Sequence, residues 1–100
     1  MRVEFSVRDT VPERCVAEAA IVFEGEAFGA LEGMKLVGFT LWRSPEGEVY
    51  VTFPSRAFGA GNDRRFFDYV RSATGEASHG KRLKAWITDA WKVYADQPAE

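Results

Sequence analysis

Polar and apolar residues alternate from Arg2 to Arg8, with Val3, Phe5 and Val7 on one side and Arg2, Glu4, Ser6 and Arg8 on the other. Successive side chains of a strand point to opposite faces, so this pattern predicts a half-buried strand over 2–8. Asp9-Thr-Val-Pro-Glu then reads as a turn. Residues 14–24 alternate again, with Cys15, Ala17, Ala19, Ile21 and Phe23 facing one way. Alanine suits a helix as well, but the Ile-Val-Phe ending favours a strand. Residues 28–33 carry no decisive period. Residues 34–43 are apolar on both faces, as in a strand at the middle of a sheet, or one with a helix on one side and a partner on the other.

Ser44-Pro45-Glu46-Gly47 is a turn, since proline presets φ at its second position and glycine tolerates positive φ at its fourth. Strand character resumes over 48–53, which makes a hairpin of residues 34 to 53. Pro54 has no N–H to donate and ends that ladder. Residues 55–65 are expected to form a glycine-rich charged loop, Phe66 to Val70 a short strand, and 71–80 a second loop. Beyond them Leu83, Trp86, Ile87, Ala90, Trp91, Val93 and Tyr94 fall on one helical arc. Lys81, Lys84, Ala85, Thr88, Asp89 and Lys92 fall on the other. Ser78 is the expected N-cap, and Pro98 lies past the end. The fold class is therefore α+β: a small antiparallel sheet of about four or five strands within about 2–70, and one amphipathic C-terminal helix over about 79–96 packed on it. The whole of 1–100 is read as one domain.

A hydrophobic content of 46% with 28% charged residues is globular, and 14% aromatic supplies a small core with large side chains. Cys15 is the only cysteine, which excludes an internal disulfide or a cysteine-based zinc site and suits a reducing compartment. The first residues interleave charges, unlike a secretory leader, and no apolar run approaches a membrane span. A cytoplasmic protein is expected. The net charge is −2, but it is unevenly spread. Residues 54–84 hold seven basic side chains (Arg56, Arg64, Arg65, Arg71, Lys81, Arg82, Lys84) against three acidic ones, a net of +4. The positive third is either a solvated surface or the footprint of an anionic partner.

Catalytic chemistry finds little support. His79, the only histidine, has no partner marked in the sequence, and Cys15 among alanines reads as a small buried hydrophobe. The acidic pairs Glu24/Glu26 and Glu46/Glu48 lack the surroundings of a glycosidase dyad or a calcium loop. Gly59-Ala-Gly61 lacks the third glycine of a dinucleotide fingerprint. Trp86 and Trp91 could stack on bases, but their arc places them in the core or at a dimer interface.

The stretch from Lys35 to Tyr94 has a familiar order: a hairpin, Val51-Thr-Phe-Pro54-Ser55-Arg56, a polar loop with glycines, a short strand and an amphipathic helix. It resembles the stage V sporulation protein G family, the septation regulators. The resemblance implies a small sheet with one helix, a homodimer, DNA or RNA binding in gene regulation, and no cofactor. Arg56 matches the family's basic residue after Pro-Ser, and Arg64 and Arg65 lie near its basic position before the strand. The expected function is non-catalytic: a dimeric nucleic-acid-binding regulator in which Arg56, Arg64 and Arg65 grip phosphate and Lys81, Arg82 and Lys84 extend the patch. No membrane and no small-molecule substrate is expected. The alternative is a protein–protein adaptor with an incidental basic patch, and a small enzyme is a third reading.

Overall fold

The computed structural model describes residues 1–7 and 14–96. The expected turn at 9–13, the end of the first strand at Arg8 and Pro98 lie outside the described residues. Four strands form an antiparallel meander: β1 (Arg2–Ser6), β2 (Cys15–Val22), β3 (Lys35–Arg43) and β4 (Val49–Thr52), in that spatial order. A separate two-stranded antiparallel sheet follows, β5 (Ser55–Phe58) with β6 (Arg65–Asp68), and then one helix, α1 (Ala77–Asp96). The expected small α+β fold with one C-terminal helix is thus present. No helix among the described residues is long and apolar enough to cross a membrane.

Helix α1 lies across one face of the four-stranded sheet. Ala17, Ala19 and Ile21 of β2, Phe39 and Leu41 of β3, and Val51 of β4 are buried beneath it, and Ile87 is its fully buried residue. Leu83, Trp86 and Trp91 pack around this centre. Trp91 meets Phe5 edge-on at 5.3 Å, and Tyr94 lies 5.1 Å from the same ring. Val93, expected on the buried arc, is 64% exposed because it falls at the arc's margin, about 120° around the helix from Ile87. The helix begins at Ala77, before the expected N-cap, so Ser78 lies within its first turn.

The β2–β3 ladder explains why residues 34–43 look apolar on both sides. Ala19 pairs with Phe39 but Ile21 pairs with Leu36, so Val37 and Gly38 together oppose Ala20. This is a bulge, and Gly38 takes the positive φ of 102° that it needs. Below the bulge Leu36 packs against the core, and above it Phe39 and Leu41 do. Val37, Thr40 and Trp42 are left on the opposite face. A second irregularity between Cys15 and Ala17 places its extra residue in β2.

The segment 55–65 is not simply a loop. Its first four residues are β5, which pairs with the expected short strand; that strand begins at Arg65 and ends at Asp68, before Val70. Pro54 ends the β4 ladder as expected, yet its carbonyl accepts the N–H of Tyr69 at 2.8 Å, so the chain leaves the main sheet directly into a new hairpin. Residues 26–31 form short 3-10 turns kinked at Gly29.

Candidate nucleic-acid interface

The β5–β6 hairpin stands away from the main body as an arm whose strand residues are nearly all exposed. Its tip is set by Gly59, which has φ +84° and no room for a side chain: a Cβ there would sit 2.6 Å from the Asp63 carbonyl oxygen. A single 3-10 turn over Gly61–Asp63 then returns the chain.

Register decides which side chains share a face. Arg56 pairs with Phe67 and Phe58 with Arg65, while Ser55 pairs with Asp68 and Ala57 with Phe66. Side chains directly opposite one another in an antiparallel pair project to the same face. Arg56, Phe58, Arg65 and Phe67 therefore occupy one face, and Ser55, Ala57, Phe66 and Asp68 the other. The guanidinium of Arg56 lies over the Phe58 ring at 4.9 Å, and Phe58 meets Phe67 edge-on at 5.3 Å. Arg64 lies over Phe66 at 5.1 Å. The three expected phosphate-binding arginines are thus carried by one arm, with two on its first face and Arg64 beside a ring of the second.

None of the three makes an ion pair among the described residues. Asp63 and Asp68 are their neighbours in sequence, yet the carboxylate contacts within 4.0 Å are made elsewhere, by Arg2, Lys35 and His79. A guanidinium held against a ring keeps its N–H fork free, because the attraction uses the ring's π face and not a hydrogen-bond acceptor.

The helix cations are not gathered into the same patch. Lys84 reaches the arm's root, its Nζ 5.1 Å above the Phe53 ring. Arg82 is about 160° away around the helix. It borders an open apolar groove of about 360 Å³ shared with Met1, His79, Leu83 and Trp86. Lys81 is exposed between them.

Two features escaped the sequence reading. One is the arm's aromatic surface: Phe58, Phe66, Phe67 and Tyr69 are 46%, 66%, 48% and 63% exposed. The interleaving of Arg56-Ala-Phe58 and Arg64-Arg-Phe-Phe67 was its signal. The other is a set of partners for His79. Ser72 Oγ lies 2.6 Å from His79 Nδ1 and accepts the backbone N–H groups of Thr74 at 3.2 Å and Glu76 at 3.1 Å. The same oxygen lies 3.3 Å from Thr74 Oγ1, and His79 Nε2 lies 3.0 Å from Glu76 Oε2. Serine, histidine and carboxylate in series suggest a nucleophile, but an attacking oxygen needs a lone pair free toward its electrophile. Here the serine ties down the turn that launches α1.

Cys15 is half-buried at the β2 irregularity and free, and no group of three or more ligand-type side chains among the described residues could hold a metal ion. The sheet face away from α1 carries a charged corner, in which Arg2 bonds Glu4 at 3.0 Å and Glu24 at 2.7 Å while Lys35 reaches Glu4 at 3.7 Å. The hydrogen bond to Glu24, then that to Glu4, raises the Arg2 guanidinium further above its already high range. At the opposite end of this face Trp42 donates to Thr52 Oγ1 at 2.8 Å and Tyr50 is exposed, while the exposed Val37 lies near Lys35. Compared with known proteins, the chain matches no family model, no curated protein and no solved structure.

Proposed function

We propose that this chain is a small cytoplasmic nucleic-acid-binding regulator that grips the phosphate backbone with its β5–β6 arm and works as a homodimer. The observation that carries this reading is the state of Arg56, Arg64 and Arg65: three exposed guanidiniums on one projecting hairpin, two stacked on phenyl rings, none paired with a carboxylate among the described residues. The element order around Pro54-Ser55-Arg56, similar to that of the stage V sporulation protein G family, points the same way. Recognition runs through phosphate more than through base edges, since arginine's planar fork suits phosphate oxygens. Lys84 at the arm's root adds a fourth cation, while Arg82 and Lys81 face other directions and contribute less.

The test is an anisotropy titration of the triple variant Arg56→Ala, Arg64→Ala, Arg65→Ala against mixed-sequence DNA and RNA at two salt concentrations. Folding stays nearly intact, because exposed groups of this kind contribute about 0–1 kcal/mol each. Affinity falls across all sequences, and the salt slope flattens by about 0.7–0.9 for each phosphate that is no longer neutralised. A wild-type chain with no salt-sensitive binding to any nucleic acid would leave the reading without support.

The second reading is a protein adaptor, favoured by the uncovered sheet face with Trp42, Tyr50 and Val37. Binding through that face would hold its strength as salt rises, because apolar contact is not screened.

A further inference from the structure

We propose that the arm selects single-stranded nucleic acid by stacking unpaired bases on Phe67 and Tyr69 while the adjacent arginines hold the backbone. This rests on the reading of the arm as the nucleic-acid site and adds which form of nucleic acid it takes. The first observation is the exposure of the rings themselves. A hairpin built only to neutralise phosphates needs arginine and lysine, yet this one also turns four large aromatic side chains toward solvent. Exposed rings offer a π face to any base, but within a duplex each base face is already covered by its neighbours.

The second observation is how the rings are arranged. Phe58 has Arg56 over its ring, whereas Phe67, in a T-shaped contact with Phe58, has no cation over it among the described residues. Phe66 is shared with Arg64 on the face that also bears Asp68. Phe67 stands on the face of Arg56 and Arg65, which holds no carboxylate. Tyr69 follows two residues later, in the bend just past the end of β6, exposed and with its backbone N–H held by the Pro54 carbonyl at 2.8 Å. It gives the arm a second solvent-facing ring close in sequence to Phe67, and such rings suit bases freed from their stack. A single strand offers such bases freely, whereas a duplex must unstack.

A two-stranded ribbon can also enter a major groove, which is the competing geometry. There the groove is read chiefly by polar side chains at base edges, and a ring finds little beyond a thymine methyl. The arm's charge suits either partner, but the ring faces suit an unpaired one best.

The experiment titrates the full chain against labelled dT20, rU20 and a mixed 20-base-pair duplex at two salt concentrations, with Phe67→Ala, Phe67→Leu and Tyr69→Ala variants beside the wild type. The expected result is at least ten-fold tighter binding to a single strand than to the duplex. Each alanine variant should lose roughly five-fold to a hundred-fold on the single strands and less than about two-fold on the duplex. Phe67→Leu keeps apolar bulk and should melt like the wild type, yet it should bind single strands as poorly as Phe67→Ala. The ratio of dT20 to rU20 affinity assigns DNA or RNA. Equal binding of duplex and single strand, or a Phe67→Leu variant that binds like the wild type, would overturn stacking while phosphate binding stands. A wild type that binds none of the three probes would overturn both. Ring variants that change the sedimenting mass instead of the affinity would make the arm a protein interface and overturn the proposal as well.

Discussion

Gly38 shows how much one residue decides in this chain. Its φ of 102° lies where side-chain-bearing residues are strained, and a Cβ there would stand 2.9 Å from Cβ of Pro54. That neighbour belongs to a proline ring, which cannot swing aside. Gly38→Ala should therefore cost about 2–3 kcal/mol in urea denaturation, from backbone strain and overpacking together. An unchanged midpoint would mean that the bulge does not need its glycine. From sequence alone Gly38 reads only as a gap in an apolar run, because the need for a bulge arises from how β3 meets β2. His79 carries a related lesson. Glu76 stands three residues before it and just ahead of α1, and it meets the ring because the helix starts at Ala77, earlier than the expected N-cap at Ser78. Ser72 reaches it only through the fold of the turn, which no period announces.

At the scale of elements, period was a sound guide wherever packing on one face enforces it. β1 alternates because Val3 and Phe5 face the core while Arg2 and Glu4 do not, and α1 shows a stripe because Leu83, Ile87 and Trp91 meet the sheet. β5 was hidden because it has no buried face. Ser55-Arg-Ala-Phe58 alternates too briefly to register, follows a proline and precedes two glycines, all of which read as a loop. Its strand identity comes from β6, through pairing alone. The helix makes a measurable contrast between two branched residues six positions apart. Ile87→Ala removes a fully buried side chain and should cost about 2–4 kcal/mol. Val93→Ala, at an exposed site, should stay within about 0.5 kcal/mol. Equal losses in paired thermal melts would contradict the observed rotation of α1.

For the whole molecule, the single helix leaves one face of a four-stranded sheet without cover among the described residues. At one end of it Trp42 is half-buried and Tyr50 exposed, and toward the other end Val37 lies next to the charged corner of Arg2, Glu4 and Lys35, with Glu18 and Thr40 between. An apolar end with a polar remainder fits a two-fold contact with a second copy. Sedimentation at micromolar concentration should give twice the 11.2 kDa of one chain, and Tyr50→Arg should return it to one. A wild type that remains a monomer would argue against the homodimer. The expectation of an apolar second face was legible in residues 34–43. Which side chains form it was not, because the bulge at Gly38 exchanges the faces midway.

The order of the elements has a consequence for how the chain is made. Four strands leave the ribosome before the helix that seals them, and roughly 36 residues separate Val51 from Ile87. At synthesis rates of about 5–20 residues per second, Val51 spends about 2–7 s, and Phe39 and Leu41 about 2–10 s, as a wet apolar surface. The aromatic arm emerges in the same interval. Until α1 arrives, the growing chain leaves these strands unsealed, and slowing translation between β4 and α1 lengthens that exposure.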